Sequence, residues 1–305
     1  MSRLSTLRRM FALISLVLCA SSVARAEYVP VDSVEWLVAS SDTIVRGKII
    51  EVDRAARRRG FLVDEIWDKV TVRVAETLRG EKQEKVCFVI PNRIRAGGEE
   101  PAQMEAGERE YLFLLVRRKD MDKKEGPVRF ADCLLAPRKY LSRITLSADQ
   151  PVGIPTMDFK LLIHRKDVLK AVRTCAAIDR ERKTIKATWL WMPQDTEACR
   201  KLEGSSGGIM VVPADHRLEV RAKKWFESKS LEYRRLGAGT LAKFKSDENI
   251  RLMKSLLTNP ESEVGRSGGK ITRYYPLRRI AYDALERWEI KVKEPVTMEP
   301  LDPSK

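Results

Sequence analysis

The sequence predicts an α+β protein with a small N-terminal β-barrel, a connecting αβ segment and a C-terminal domain of helical repeats. Three observations predict it. Between residues 43 and 116, short apolar or alternating runs are separated by glycine-marked turns, the pattern of a small closed or partly open barrel. After residue 213, apolar residues recur at helical spacing between capping residues. The helical region also writes a single phrase twice: residues 233–244 return as 277–288, at an offset of 44. Periods of about 40–47 residues belong to stacked helical hairpins, which serve contact more than chemistry.

The first element is an address. Arg3, Arg8 and Arg9 precede an apolar stretch from Phe11 to Ala20, and Ala24-Arg25-Ala26 is a small-x-small cleavage site. Residues 1–26 read as a signal peptide, which makes Glu27 the mature start. A retained anchor needs a longer apolar run. Acylation at Cys19 is the lipoprotein alternative, and Leu18 before it is bulky for such a site. No later stretch is long enough to span a bilayer. Cleavage removes four basic residues and no acidic one, so the formal charge falls from +15 to +11. The remaining charge is spread over several mixed runs, the usual mark of solvated faces. Its functional reading is attraction to an anionic surface polymer, with no nucleic-acid-binding motif in view.

Residues 27–150 read as the barrel. A short helix over 33–39 follows Asp32 as its cap. Residues 43–52 form a strand in which Gly47 marks a bulge or bend. Val70, Val72 and Val74 alternate with Thr71 and Arg73 as a half-buried strand. Residues 86–90 form the next strand. The run from Tyr111 to Val116 is almost wholly apolar, as a central strand would be.

Residues 151–212 read as the connector. They hold a helix over 164–176 and strands over 187–192 and 209–212, with a polar loop over 195–208 between the strands. Residues 213–296 read as helical. Helices follow the caps Asp215, Ser230 and Ser246, residues 261–275 form a loop, and Pro276 opens the last helix. The final 297–305 read as a disordered tail.

Three phrases carry a resemblance: 37–49, 72–80 and 107–115, in that order. Together they resemble an exported bacterial domain of TIMP-like or netrin-like type, over roughly residues 32–135. The resemblance implies an OB-like five-stranded barrel that serves binding. Inhibitors of that wider fold ligate a protease zinc through an N-terminal cysteine, and here no cysteine stands between Glu27 and Cys87. The repeated phrase resembles a HEAT repeat over about 230–290, matched at Gly237 and Ala281 and at Leu241 and Leu285. In such repeats one arginine of each pair, Arg234-Arg235 and Arg278-Arg279, bonds neighbouring helices and the other meets solvent.

Candidate chemistry is sparse. Gly204-Ser205-Ser206-Gly207-Gly208 matches G-x-S-x-G, with Asp215 and His216 following. That motif needs a strand before the serine and a helix after it, and a strand follows here instead. No catalytic residue, metal site or cofactor is expected. His164 and His216 read as exposed residues at helix starts. Cys87, Cys133, Cys175 and Cys199 are an even set for an oxidising compartment, paired by neighbourhood as 87–133 and 175–199. Cys87 and Cys175 read equally well as small buried residues. Trp189 and Trp191 face one side of a strand, as a stacking platform or as core. With Arg235 and Arg279 they are the candidate partner contacts. The expectation is an exported, non-enzymatic binding or scaffold protein, periplasmic or extracellular, with an unidentified protein partner. A polysaccharide binder and a serine hydrolase are the alternatives.

Overall fold

The computed structural model describes residues 30–58, 63–95, 105–117, 134–136, 143–146, 153–178, 186–206, 208–267 and 270–301. The expected signal peptide and Cys133 lie outside them. The chain is mixed α+β, with seven helices and several small sheets among the described residues.

The N-terminal region builds a closed ring. Strand β1 (Val31–Asp32) leads into helix α1 (Val34–Ala39). The cap of α1 is Ser33, whose hydroxyl accepts from Trp36 N at 3.1 Å, so the helix starts one residue later than Asp32 would set it. Then come β2 (Thr43–Arg58), β3 (Val63–Arg79), β4 (Lys85–Arg95), β5 (Glu110–Arg117), β6 (Leu134–Leu135) and β7 (Arg143–Thr145). The ring order is β2-β3-β4-β6-β5, closed by β5 on β2, with β7 added outside β5. Every pairing is antiparallel except that of β4 with β6. Closing a sheet of so few strands demands sharp bends, and β2 supplies them through four register shifts against β3. One shift falls at Arg46/Gly47, where a Cβ on Gly47 would lie 2.2 Å from Arg73 O. A glycine is therefore required where β2 crosses β3.

Strand β5 is apolar throughout because both of its faces are covered. Phe113 and Leu115 join Val45, Val72 and Phe88 in one cluster, with the Phe88 and Phe113 rings 5.1 Å apart. Leu112 and Leu114 belong to a second cluster, with Val34, Leu37 and Val38 of α1. Strands β8 (Ile154–Pro155) and β9 (Leu161–Leu162) then precede helix α2 (Arg165–Ile178), whose Val168, Val172 and Cys175 complete that second cluster.

The remainder is organised by a third cluster. Strand β10 (Ala187–Trp191), helix α3 (Glu197–Ser206) and strand β11 (Ile209–Pro213) lead into helices α4 (His216–Phe226), α5 (Leu231–Leu241) and α6 (Asp247–Leu256). A hairpin follows, β12 (Glu263–Ser267) and β13 (Lys270–Tyr274), then helix α7 (Pro276–Arg287) and strand β14 (Met298–Pro300). Strands β10 and β11 pair with each other, and β1 joins β11 in parallel. Leu190, Met192, Met210 and Val212 share one core with Leu218, Ala238, Leu241, Met253, Leu277 and Leu285. The core thus runs across residue 212, and β1 ties it to the ring.

Three expected loops or tails are structured. The span 195–208 contains α3, a helix with weak helix formers at its C-terminal end, anchored by buried Ala198 and Cys199. The span 261–275 contains the β12–β13 hairpin, whose register sets Ser267 opposite Lys270. Of the tail expected to be disordered over 297–305, Met298–Pro300 pair with β13 as β14 and Leu301 N donates to Ile271 O at 2.9 Å, while 302–305 lie outside the described residues. Edge pairing holds a segment too polar to be held by burial.

Candidate binding groove

Period-two alternation along β10 decides what its side chains do. Leu190 turns into the core at 3 % exposure, and Trp189 and Trp191 turn outward at 64 % and 67 %. Large rings left this exposed on a folded chain are unusual. Beside them lies helix α5, where i, i+3, i+4 spacing puts Glu232, Arg235, Leu236, Gly239 and Thr240 on one face. Strand and helix bound a groove of about 530 Å³, which Lys243 also lines, just past the end of α5. That volume falls within the range of ordinary ligand sites.

The polar groups of the groove are held in place. Lys243 Nζ donates to Thr188 Oγ1 at 2.6 Å and to the Trp189 carbonyl at 2.9 Å, bracing the helix end against β10. Desolvation of the ammonium first, and repulsion from Arg287 second, pull its pKa below the ordinary lysine value. Arg235 Nη1 contacts both Glu263 oxygens at 2.9 Å. Glu232 accepts from Gln194 N at 3.2 Å. The neighbouring Tyr233 hydroxyl donates to Asp195 at 3.1 Å. Burial, with Asp195 second, pushes its pKa up to about 12.

The groove brings together three of the four residues expected to contact a partner: Trp189, Trp191 and Arg235. Arg279 stands apart on α7, in an i, i+4 ion pair with Asp283 at 3.0 Å. The other arginine of each pair turns inward to one shared segment. Arg234 Nε donates to Glu261 at 3.0 Å, and Arg278 Nε donates to Asn259 O at 2.7 Å and stacks on Tyr275. Sequence reasoning misses Gly239, Thr240 and Lys243 as groove residues, although all three lie in the repeated phrase. Their placement against β10 is a long-range contact that no local pattern encodes.

Ser206 ends helix α3 and strand β11 follows it, the reverse of the strand–serine–helix order that a nucleophile elbow requires. Asp215 caps α4: Oδ1 accepts from Arg217 N at 2.8 Å, and Oδ2 accepts from the Arg217 guanidinium. The His216 ring is exposed, 3.7 Å from Glu219. His164 precedes α2, and its carbonyl accepts from Asp167 N and Val168 N. Cys87 lies on β4, Cys175 on α2 within the α1–α2 cluster, and Cys199 on α3 within the helical core. Among the described residues, no group of three or more His, Cys, Asp or Glu is placed to hold a metal ion. No described helix is long and apolar enough to cross a membrane.

Fold and groove together define a mixed α+β chain with a five-strand ring and an aromatic-edged cleft beside a helical layer. No known protein family, curated protein or solved structure matches the chain.

Proposed function

We propose that this chain is an exported, non-enzymatic binding protein of the cell envelope, acting through protein–protein contact at the groove between β10 and α5. One observation carries the reading: Trp189 and Trp191 hold two large rings out of the core, at 64 % and 67 % exposure, on the rim of that groove. Tryptophan and arginine are the side chains that most often carry contact energy when a partner covers them. Trp189, Trp191 and Arg235 meet here.

Finer readings of the fold belong to the same proposal. An OB-like, TIMP-like or netrin-like barrel is supported by the ring order β2-β3-β4-β6-β5 and its single parallel pairing, β4 with β6. A HEAT-like repeat is supported by α5 and α7 packing together, with Gly237 and Ala281 buried at equivalent positions, as are Leu241 and Leu285. Export rests on the N-terminal charge, apolar stretch and small-x-small site.

The test is capture from envelope extract by tagged residues 27–305, read by mass spectrometry beside the double variant Trp189→Ala/Trp191→Ala. A partner held by the parent and lost by the variant, at equal thermal stability, is the expected result. Equal capture by both sinks the reading. Binding to a polysaccharide would use the same rings as a stacking surface. It predicts retention of the chain on heparin that falls with salt and with the double substitution.

A further inference from the structure

We infer that the groove takes an extended peptide carrying an acidic side chain, added as a further strand along the outer edge of β10. The inference rests on the groove being the contact surface proposed above, and it specifies what occupies it. Among the described residues strand β10 is the edge of its sheet, in the order β1-β11-β10. Its register sets Thr188 opposite Val212 and Leu190 opposite Met210. The same pairing continues at both ends, where Ala214 N donates to Lys186 O at 2.8 Å and Met192 N donates to Gly208 O at 2.7 Å. Even-numbered residues therefore direct their backbone groups to β11. Antiparallel geometry sends the N–H and C=O of Ala187, Trp189 and Trp191 to the opposite edge. That edge faces the groove, because Lys243 reaches the Trp189 carbonyl from the end of α5. The carbonyl has a second lone pair for an incoming N–H.

The helix opposite leaves room. Gly237 and Gly239 both sit inside α5, where glycine is unfavourable relative to alanine. Packing accounts for Gly237, whose added Cβ would lie 2.4 Å from Phe226 N. Among the described residues no contact accounts for Gly239: a Cβ there would have no atom within 4 Å, and the residue lines the groove. A backbone passing between β10 and α5 does account for it. Charge selects the occupant. Both hydrogen-bond partners of Lys243 are neutral oxygens, so a carboxylate on the added strand would supply the missing countercharge. Strand addition gives affinity through main-chain bonds and specificity through alternate side chains, and the tryptophans would flank those that point their way.

The probe is a displayed library of random linear peptides, selected on residues 27–305. A selected peptide is then resynthesised with alternate backbone amides N-methylated, and separately with its acidic residues made neutral. The expected result is enrichment of extended acidic peptides. N-methylation should weaken binding by roughly tenfold or more, as the loss of two backbone hydrogen bonds would. Gly239→Leu, which fills the groove, should abolish binding while thermal stability is kept or raised. Selection of no peptide, or binding indifferent to both N-methylation and Gly239→Leu, overturns the inference. So does a concentration-dependent dimer that Gly239→Leu dissolves, since the occupant is then a second copy, and so does recognition of glycans alone. In any of these cases, envelope capture that still depends on Trp189 and Trp191 leaves the broader binding proposal standing. Capture indifferent to both tryptophans removes that proposal instead.

Discussion

Replacing Gly237 by alanine should destabilise the protein, and replacing Gly239 by alanine, two residues further on, should stabilise it. Both lie in α5, so the intrinsic preference for alanine is the same at each site, about 1 kcal/mol in favour of the substitution. The surroundings decide the sign. At Gly237 the new Cβ would lie 2.4 Å from Phe226 N, 2.6 Å from Ala222 O and 2.8 Å from Phe226 Cα, where ordinary contact begins at 3.4 Å. All three atoms are backbone of α4 or its end, so no side chain can rotate away. The helices must separate by about 1 Å, at a core where Ala222, Ala238 and Leu241 are fully buried. Overpacking of this kind costs about 1–3 kcal/mol, and rigid backbone on both sides argues for the upper end. Less the helix-propensity gain, Gly237→Ala should lose about 1–2 kcal/mol, and Gly239→Ala should gain about 0.5–1 kcal/mol. Urea denaturation followed by circular dichroism reads both. Gly237→Ala as stable as the parent, or the two variants shifting in the same direction, would refute the reasoning.

Other outcomes follow from single contacts. Burial holds the Glu35 carboxyl above its ordinary value of 4.5, against the opposing pull of the backbone N–H groups of Glu35 and Met157. The folded protein therefore binds that proton more tightly than the unfolded chain. Glu35 contributes its stability below 4.5 and loses it as pH rises through the raised folded value. Glu35→Gln should accordingly gain on the parent as pH rises from about 4 to about 7, and a flat difference between their denaturation midpoints rejects this account. Arg234→Ala should cost about 1–3 kcal/mol, because its guanidinium is 19 % exposed and bonds Glu261. Arg235→Ala, with its ion pair at 42 % exposure, should cost less than about 1 kcal/mol, and equal losses in chemical denaturation would contradict the inward and outward assignment. The proposed export predicts a periplasmic or secreted form whose intact mass begins at Glu27; recovery of that form with residues 1–26 attached would remove the cleavage.

Much of the architecture is legible in local pattern, and what escapes it has a common reason. Ser246 and Asp215 cap their helices because a side-chain oxygen and a nearby N–H are neighbours in the chain. The continuous apolar run of β5 tells of burial on both faces, and the ring and α1 provide it. Helix α3 escapes because its last residues, Gly204, Ser205 and Ser206, are weak helix formers that make the span read as a loop, while buried Ala198 and Cys199 anchor its first turn. The β12–β13 hairpin has a signal, Gly268-Gly269 between two short runs, which the polarity of the segment outweighs. Strand β14 has none, since its order comes from pairing with β13.

The sequence alone determined the α+β class of the molecule and its repeated phrase. It also set the alternation that puts Trp189 and Trp191 on one face. These are properties of neighbours along the chain, where periodicity maps directly onto direction. Only the tertiary structure decided that this face is open and not core, that β10 is an edge strand, and that α5 stands across from it with Lys243 reaching over. Those facts depend on residues about 54 positions apart meeting in space, and a pattern read over one or two turns carries no record of such a meeting.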